Sequence, residues 1–331
     1  MNWNKKNVLI TGMSGFLAPH IAKTLLQNNP SIHIVGSIHD IKKSAFYKMN
    51  KIDSNISIAE VDINDIERIK EVLNNYDIDF IFHCAANSIV GSCVKDPVGA
   101  FKTNIIGTAN ILEAARLVGG VKGIMCMESD KSYGSFEKND LPYKEDHPIK
   151  PKNVYEVSKA CSGLIAKAYS NNYEIPVFTV RAANLYGPGD TNISRIIPGS
   201  ILRILNHESP ILYSGVADYV REFLYVEDAA IAIIKLMENI ELSKSSIFNI
   251  GSNSIFRMDE IMNIITEKFS SKIKVKIVEK DLLYKEIKEQ YVDYSKLMRI
   301  FPEYSPRSMM DGLDPTIDWY KDNFDKLPRP N

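Results

Sequence analysis

The sequence lacks the features that mark membrane proteins and nucleic-acid-binding proteins. No uninterrupted apolar run approaches the about 18 residues of a membrane-spanning helix, and no apolar signal core precedes the first strand pattern. Lys and Arg number 40 against 41 Asp and Glu, and basic residues form no block and do not interleave with aromatic ones. We therefore expect a cytoplasmic protein that has neither a membrane nor a nucleic acid as its partner.

Cysteine is scarce and is not spaced as a metal site or disulfide framework requires. The chain has no CxxC motif and no HExxH motif, and three of its four cysteines lie in apolar strand or helix patterns. This predicts buried, reduced thiols and no bound metal. Hydrophobic residues, by contrast, make up 45% of the 331 residues, which is enough for one large domain or two closely joined ones.

The chain opens on a pattern typical of phosphate binding. NVLI (residues 7–10) predicts a buried parallel strand, and TGMSGFLA (residues 11–18) leads directly into an amphipathic helical pattern. A glycine turn between a strand and a helix leaves free backbone amides that can bind a pyrophosphate. Ala18 stands where a third glycine is usual, and it is small enough for close helix packing. We expect this turn to bind a dinucleotide through Gly12, Ser14, Gly15, Phe16 and Leu17.

The end of the second predicted strand, IHIVGS (residues 32–37), bears on the choice of cofactor. A carboxylate at this place normally binds the adenosine ribose of NAD. Here the strand ends in Ser37, with His39 close behind and Lys42 and Lys43 further on, so hydroxyl and basic groups are present to bind a ribose phosphate. This favours NADP over NAD, although the two lysines equally suit a solvated helix start.

Two further strand patterns provide residues for the rest of the cofactor. ISIAEVDI (residues 56–63) ends where an adenine is expected to lie, and IDFIFHCAA (residues 78–86) ends in small residues that let a cofactor approach the backbone. The expected cofactor contacts are Asp62, Ile63, Ala85 and Ala86.

The long helical pattern of residues 96–119 follows, with Pro97 in its first turn. It carries Asn104 into the region where the cofactor is expected. His83, at the end of the preceding strand, is interpreted as a packed residue rather than a catalyst.

Acid–base chemistry is predicted to lie between two later motifs. MESDKSYGS (residues 127–135) follows the apolar run VKGIMCM, and YEVSK (residues 155–159) opens a helical pattern. A Tyr and a Lys four apart fall on one helical face, so Lys159 can favour the phenolate of Tyr155 as a fixed cation. Ser129 is placed to hydrogen-bond the substrate oxygen that Tyr155 deprotonates. An isolated YxxxK match is more often a solvated helix face, and the dinucleotide site is what makes this one specific.

After a sixth strand pattern the alternation of strand and helix loosens. The six βα units before this point predict an α/β fold with a doubly wound parallel sheet. We expect residues 1–183 to form a dinucleotide-binding domain and residues 184–331 a smaller, interleaved C-terminal substrate domain. Residues 222–253 are expected to return to the first domain. The substrate should lie in the crevice between the two, at the carboxyl ends of the strands.

Six motifs stand in the order and spacing of the extended short-chain dehydrogenase/reductase family, which the chain resembles over about residues 7–250. They are TGMSGFLA, HCAA, the Ser129 motif, YEVSK, RAANLYGPG and REFLYVED. The resemblance implies a Rossmann-type fold that binds NAD or NADP and acts on a nucleotide-diphosphate sugar. It also implies a homodimer formed through the helices of residues 96–119 and 151–172. The catalytic and substrate-binding residues implied by it are Ser129, Tyr155, Lys159, Asn184, Arg195 and Arg221.

The two residues after Ser129 indicate the branch of this family. Asp130 followed by Lys131 resembles the 4,6-dehydratases, in particular the CDP-glucose and UDP-N-acetylglucosamine types, whereas epimerases usually carry unreactive residues there. The implied chemistry starts when Tyr155 takes the 4-hydroxyl proton as hydride leaves carbon 4. Lys131, neutral if desolvated, then removes the hydrogen on carbon 5, and protonated Asp130 donates to the departing 6-hydroxyl.

Alternatives stay open on the sequence alone. An epimerase, a decarboxylase or a reductase acting on nucleotide sugars would share most of these motifs, and so would a non-catalytic dinucleotide-binding regulator. Asp130 and Lys131 can also be read as a surface ion pair. Glu128 departs from the family pattern, in which a small or hydroxyl residue is commoner, and bears on the geometry of the motif's first turn.

Overall fold

The computed structural model describes residues 1–40, 56–269, 273–279 and 284–329. Within these ranges the strands are β1 (Asn7–Thr11), β2 (His33–Ile38), β3 (Ile56–Glu60), β4 (Phe80–His83), β5 (Gly123–Met127), β6 (Val177–Ala182), β7 (Asn184–Tyr186), β8 (Ile211–Tyr213), β9 (Val220–Tyr225), β10 (Ile247–Ile250), β11 (Ile255–Arg257), β12 (Lys276–Val278) and β13 (Glu289–Gln290).

The α-helices in the same ranges are α1 (Leu17–Asn28), α2 (Ile66–Asn75), α3 (Val90–Lys95), α4 (Pro97–Phe101), α5 (Gly107–Val118), α6 (Val154–Tyr173), α7 (Ile196–Leu205), α8 (Val226–Glu238), α9 (Ile240–Ser243), α10 (Met258–Lys268), α11 (Ser295–Ile300) and α12 (Met309–Asn323). Among these described helices, none is both long enough and apolar enough to cross a lipid bilayer.

Seven of the described strands form one parallel sheet in the order β10, β6, β5, β4, β1, β2, β3. Its inner strands are apolar at almost every position because helices cover both faces, and β4 and β6 are buried throughout. The strand order runs outward from β1 in both directions, so the predicted doubly wound sheet is confirmed. The carboxyl ends of β1, β4 and β5 therefore lie side by side at one edge.

The two faces of the sheet have separate cores. On one face α1 and α8 pack with their apolar stripes inward; this core includes Ile21, Leu25, Ala229 and Ile233. On the other face α2 and α5 do the same with a core that includes Ile69, Leu73, Ile111 and Leu112. Each fully buried Leu or Ile side chain contributes about 1.5–3 kcal/mol of transfer free energy before entropy is subtracted, so both helix layers hold the sheet edge in place.

The later part of the chain crosses between this sheet and a second body of structure. β10 pairs in parallel with β6, with Ile247 opposite Thr179, and so returns to the large sheet. β9 instead pairs with β7, β11 and β13 in a small mixed sheet, over which α7, α10 and α12 share a third apolar core. The strand ends of the large sheet face this small one across a cleft.

The helix expected over residues 96–119 is not uniform. Asp96 begins α4 by accepting a hydrogen bond from the amide of Gly99 at 3.0 Å, and the segment Lys102–Ile106 then forms a π-helical turn before α5. The spacing of hydrophobic residues does not predict this π-helical turn, because the turn leaves the apolar face of the helix continuous. π-helical turns often lie at functional sites, and this one carries Asn104.

Candidate active site

A cavity of about 1150 Å³ opens at the carboxyl ends of the parallel strands, between the large sheet and the small one. It exceeds the roughly 300–1,000 Å³ of a pocket for one small ligand, which leaves room for a dinucleotide beside a second molecule. All of the predicted site residues except Asn104 line its wall. The cavity therefore lies at the strand ends, between the two sheets.

The glycine turn after β1 forms the floor of the cofactor end. Gly12 has φ of +76°, and a Cβ there would lie 2.8 Å from the backbone nitrogen of Ala85, so a side chain would collide with the end of β4. Within the described residues no side chain caps α1 at Phe16, and its first amides are left for a ligand. Together these features fit a pyrophosphate bound at the helix N-terminus.

The end of the cavity expected to hold the adenosine has hydroxyl and basic groups, which suit NADP, and a carboxylate, which suits NAD. Ser37 is buried at the end of β2, and its carbonyl accepts a hydrogen bond from the amide of Met13 at 3.0 Å. His39 Nδ1 lies 3.9 Å from a carboxylate oxygen of Asp62. Burial tends to raise the pKa of Asp62, but hydrogen bonds from Asn64 and the nearby His39 hold it below its usual value. Lys42 and Lys43, on which the preference for NADP partly rested, lie outside the described residues.

Tyr155 lies in the first turn of α6, where a capping box fixes the backbone. Asn153 Oδ1 accepts from the amide of Glu156 at 3.0 Å, and Glu156 Oε2 accepts from the amide of Asn153 at 3.3 Å. Lys159 follows one turn later on the same face, and its ammonium donates to the carbonyl of Met127 at the end of β5. The predicted pair of Tyr155 and Lys159 is thus tied to the strand that carries the other motif.

Burial dominates the proton affinities of this pair. It raises the pKa of Tyr155 to about 12, and the charge of Asp130 adds to the rise, while the neighbouring Ser129 hydroxyl and Arg195 oppose it. Burial also lowers the pKa of Lys159, and the carboxylate of Glu128 is the main opposing group. At neutral pH the phenol holds its proton unless further positive charge enters the site.

The Ser129 motif places Asp130 inside the protein rather than on its surface. Ser129 ends the extended segment after β5, and its hydroxyl accepts from the amide of Lys131 at 3.2 Å and donates to Asp130 Oδ1 at 3.3 Å. Burial raises the pKa of Asp130, against the charges of Lys131 and Arg221. A buried carboxyl with a raised pKa can keep a proton to donate, so Asp130 and Lys131 are not a solvated surface pair.

The ammonium of Lys131 is held by a carboxylate that the sequence reading missed. Glu286 Oε1 lies 2.6 Å from Lys131 Nζ and 3.3 Å from Arg221 Nη2, and Gln290 Oε1 accepts from Lys131 at 3.4 Å. Burial alone would raise the pKa of Glu286, but Lys131 and Arg221 outweigh it and hold that pKa below its usual value. Glu286 therefore lies as an anion between two cationic side chains of the cavity wall.

Three polar side chains line the far end of the cavity. Arg221 donates to the carbonyls of Val220 at 2.8 Å and Lys288 at 3.1 Å, which aligns its guanidinium along the wall. Arg195 pairs with a carboxylate oxygen of Asp190 at 2.9 Å. Asn184 donates to the carbonyl of Glu222 at 3.1 Å. Two guanidinium groups and an amide in one wall suit a polyanion such as a diphosphate.

His83 is a packed residue, as the sequence suggested. The hydroxyl of Thr108 donates to the carbonyl of Asn104 at 2.7 Å, so it accepts from His83 Nε2 at 3.1 Å, and His83 Nδ1 accepts from Thr11 Oγ1 at 2.8 Å. Burial lowers the pKa of His83 to about 3. A neutral imidazole with both nitrogens bonded inside the wall braces the glycine turn and moves no proton.

Asn104 does not reach the cavity. Its Oδ1 accepts from the amide of Asn87 at 2.7 Å, and its Nδ2 donates to the carbonyl of Asn87 and to Ser158 Oγ, at 3.0 Å and 2.9 Å. These bonds use its amide inside the protein and join the loop after β4 to α6 beside Tyr155. The structure thus corrects its expected cofactor contact, since the π-helical turn directs Asn104 towards α6.

Glu128 is wholly buried beneath the reaction centre. Its Oε1 lies 2.9 Å from Nε of Arg181 on β6, and the side chains of this pair are 0% and 4% exposed. Glu128, which departs from the family pattern, therefore forms a buried ion pair with Arg181, and its side chain does not project into the cavity.

The fold and cavity define a dinucleotide-binding α/β protein with acid–base groups at the sheet edge. The NAD dependent epimerase/dehydratase family matches residues 8–251, which is most of the chain. The chain belongs to this family of extended short-chain dehydrogenases/reductases, whose members modify nucleotide sugars.

Individual relatives differ in their activity. The chain is 28% identical over 326 residues to a trifunctional UDP-glucose 4,6-dehydratase/3,5-epimerase/reductase of Arabidopsis thaliana, covering 97% of this chain and 48% of that protein. It thus spans about half the length of that relative. It is 29% identical over 330 residues to a UDP-N-acetyl-alpha-D-glucosaminuronate decarboxylase of Bacillus cytotoxicus, at 96% and 98% coverage. A solved dTDP-glucose 4,6-dehydratase of Bacillus anthracis, in complex with NAD, superposes with a TM-score of 0.85 at 25% identity, covering 97% and 98% of the chains.

Proposed function

We propose that the protein is a nucleotide-diphosphate-sugar 4,6-dehydratase that forms a 4-keto-6-deoxy sugar. The observation that carries this proposal is the buried Asp130 with a raised pKa beside Lys131, in the same cavity as Tyr155. A simple exchange of configuration at carbon 4 needs Tyr155 alone, whereas elimination of water needs a further acid and a further base. The relatives, which include two 4,6-dehydratases and a decarboxylase of similar identity, support a nucleotide-sugar enzyme, and Asp130 and Lys131 carry the choice of reaction.

The cofactor in the proposal is NAD or NADP, with NADP favoured. The glycine turn, the uncapped start of α1 and the small residues Ala85 and Ala86 fit it, and Tyr155 and Lys159 line the cavity further along. When bound, it accepts hydride from carbon 4 of the sugar and returns hydride to carbon 6. The buried hydroxyl of Ser37 at the end of β2 supports NADP, and Asp62 supports NAD.

Tyr155 and Ser129 act on the oxygen of carbon 4. Tyr155 acts as the phenolate, which the positive charge of an oxidised nicotinamide cofactor would favour together with Lys159. It receives the hydroxyl proton as the carbon–hydrogen bond breaks, and Ser129 hydrogen-bonds the oxygen that becomes the ketone. The ketone makes the hydrogen on carbon 5 acidic. Lys159 stays charged beside Tyr155 and favours its phenolate form.

Lys131 and Asp130 carry out the elimination. Lys131 as an amine takes the proton from carbon 5, after its ammonium has released a proton to the solvent in the cavity; Glu286, 2.6 Å from its Nζ, holds the side chain in place. Asp130 gives its proton to the 6-hydroxyl, which leaves as water. Once hydride has returned to carbon 6, carbon 5 gains a proton from solvent, so the sugar has lost one water in all.

The proposed substrate is a nucleotide-diphosphate sugar, with CDP-glucose or UDP-N-acetylglucosamine as first candidates. Arg221, Arg195 and Asn184 bind its diphosphate, and the sugar lies between this wall and Tyr155. Both candidates carry the 4- and 6-hydroxyls that the chemistry uses.

Incubation of the purified protein with CDP-, UDP-, dTDP- and GDP-sugars in deuterated water tests the proposal. The expected product has lost one water, has a 4-ketone, and carries solvent deuterium at carbon 5 with none at carbon 6. A product of unchanged mass with the opposite configuration at carbon 4 would identify an epimerase instead. Loss of carbon dioxide from a uronic acid substrate would identify a decarboxylase.

We also propose a homodimer formed through α5 and α6. Large side chains on or beside these helices are more than half exposed; they are Val98, Ile106, Leu117, Leu164 and Tyr173. Burying such a face against a second copy removes apolar area from water. Light scattering should find a dimer at micromolar concentration and a monomer for Leu164→Glu. Leu242→Glu, at an exposed apolar position on α9, should leave the dimer intact. A wild-type monomer would contradict the proposal.

A further inference from the structure

We propose that Glu128 is a positioning residue that keeps Lys159 in its charged form. This role rests on the proposed function only in the work of Tyr155 and Lys159, which a dehydratase, an epimerase and a decarboxylase would share. It stands whatever becomes of the dehydratase assignment.

The geometry places the carboxylate of Glu128 along the face of α6 that carries Lys159. Lys159 donates to the carbonyl of Met127, the residue before Glu128. Gly163 follows Lys159 by four residues and shares its helix face. A Cβ at Gly163 would lie 2.3 Å from Glu128 Oε2, so the carboxylate fills the space a side chain there would need. Glu128 thus packs against the helix one turn beyond Lys159.

Arg181 holds the carboxylate from the opposite side. Its Nε lies 2.9 Å from Glu128 Oε1, and its guanidinium stacks over the ring of Tyr133, 4.5 Å from the ring centre. The hydroxyl of Tyr133 donates to Asn249 Oδ1 on β10 at 2.8 Å. Burial raises the pKa of Glu128 and Arg181 opposes this. The guanidinium at ion-pair distance and the nearby Lys159 oppose the effect of burial and favour the carboxylate form of Glu128.

The other titratable groups that act on Lys159 are neutral at neutral pH. Burial raises the pKa of the thiols at the end of β4 and in β5 to about 12, and that of the thiol in α3 to about 11. The imidazole and the phenol nearby are neutral for the reasons given above. The other groups that act on Lys159 are Cys84, Cys126, Cys93 and His83, and the nearby phenol is that of Tyr155. Glu128 is the carboxylate in this set, so it is the group that can offset the burial of the ammonium.

A direct titration of Lys159 tests the role. In protein labelled at the lysine ε-carbons, the Lys159 signal is assigned by its loss in Lys159→Arg and followed against pH by NMR. Glu128→Gln should move its midpoint down by about one pH unit or more, because an adjacent anion is lost and Arg181 is left unpaired. Glu128→Asp should restore most of the midpoint. The alkaline limb of the pH profile for cofactor reduction should move down by the same amount.

Two further variants separate this role from a merely structural one. The double variant Glu128→Gln, Arg181→Gln removes both charges, so no unpaired guanidinium is left in the core. Its Lys159 midpoint should still lie below that of the wild type. Glu145→Gln removes a partly buried carboxylate, which accepts from the amide of Asn249 at 2.9 Å, and should not move the midpoint. Coincident midpoints for folded Glu128→Gln and wild type would overturn the proposal, as would an equal shift in Glu145→Gln. Absence of 4-keto-6-deoxy product would count only against the dehydratase assignment.

Discussion

Two carboxylates hold cations within the same reaction centre, and they differ in what surrounds them. Glu128 pairs with Arg181 from the neighbouring strand of the large sheet, with side chains 0% and 4% exposed. Glu286 pairs with Lys131 across the cleft, from a segment 155 residues further along, with side chains 16% and 13% exposed. The first pair is part of the core. The second lies in the wall of the cavity, where a ligand group can replace Glu286 as the partner of Lys131.

The difference follows from solvation. An ion sealed in the core has no water to replace a lost partner, so removal of one member leaves an uncompensated charge. An ion facing a cavity keeps access to water and to ligand groups, so its partner can change at a modest cost. The buried pair can therefore set a fixed charge beneath Lys159. The cleft pair can release Lys131 and Arg221 to a substrate.

Breaking the core pair should have the largest effect. Arg181→Met leaves the carboxylate of Glu128 buried without its cation and should lower the free energy of unfolding by about 3–5 kcal/mol. Urea denaturation followed by circular dichroism measures this. The double variant Glu128→Gln, Arg181→Met should recover much of the loss, because no charge is then stranded. A loss below about 1 kcal/mol for Arg181→Met would place this pair in the same class as the cleft pair.

Breaking the cleft pair should cost far less. Glu286→Gln keeps the shape of the side chain and should change the free energy of unfolding at neutral pH by about 1 kcal/mol or less. The folded-state pKa of Glu286 is below its unfolded value, so its contribution is present above the unfolded pKa and is lost as the pH falls through the folded one. The stability difference from wild type should therefore shrink in acid and vanish once the pH is below the folded-state pKa of Glu286. A difference that persists there would mean that Glu286 stabilises by packing rather than by charge.

The contrast between the two pairs also shows what the sequence can reveal. Strand patterns and the glycine turn predict the sheet edge, because burial on two faces and a required φ leave local signatures. The motifs around Ser129 and Tyr155 are likewise local, and the cavity brings them together. Glu286 comes from a remote segment without a recognisable motif, so only the folded chain reveals its place beside Lys131.

Two other features were beyond sequence reasoning for different reasons. The π-helical turn that directs Asn104 away from the cavity leaves the apolar spacing intact, so no pattern marks it. The sequence shows that Glu128 departs from the family motif. Its partner Arg181 is brought beside it by the pairing of β5 with β6, and the space for its carboxylate is left by Gly163 on α6. The role of Glu128 therefore depends on its packing in the folded chain, which the motif does not show.

A smaller effect is expected at the adenosine end of the cavity, away from both pairs. Ser37 and His39 favour a ribose phosphate, and Asp62 opposes it, so NADP should bind at least as tightly as NAD. Calorimetric titration of the wild type with each cofactor measures the difference. NAD tighter by tenfold or more, about 1.4 kcal/mol, would reverse the assignment. Asp62→Asn should shift the ratio towards NADP.

The central claim is that Lys131, in the cleft pair, removes the proton from carbon 5 while Tyr155 serves the hydride step, and Lys131→Met tests it most directly. With the best nucleotide sugar, this variant should still reduce the bound cofactor at a rate close to wild type. Its yield of 4-keto-6-deoxy sugar should fall by roughly 10²- to 10⁴-fold. Tyr155→Phe, as the matched control, should lose both signals. Product formed by Lys131→Met at close to the wild-type rate would contradict the account.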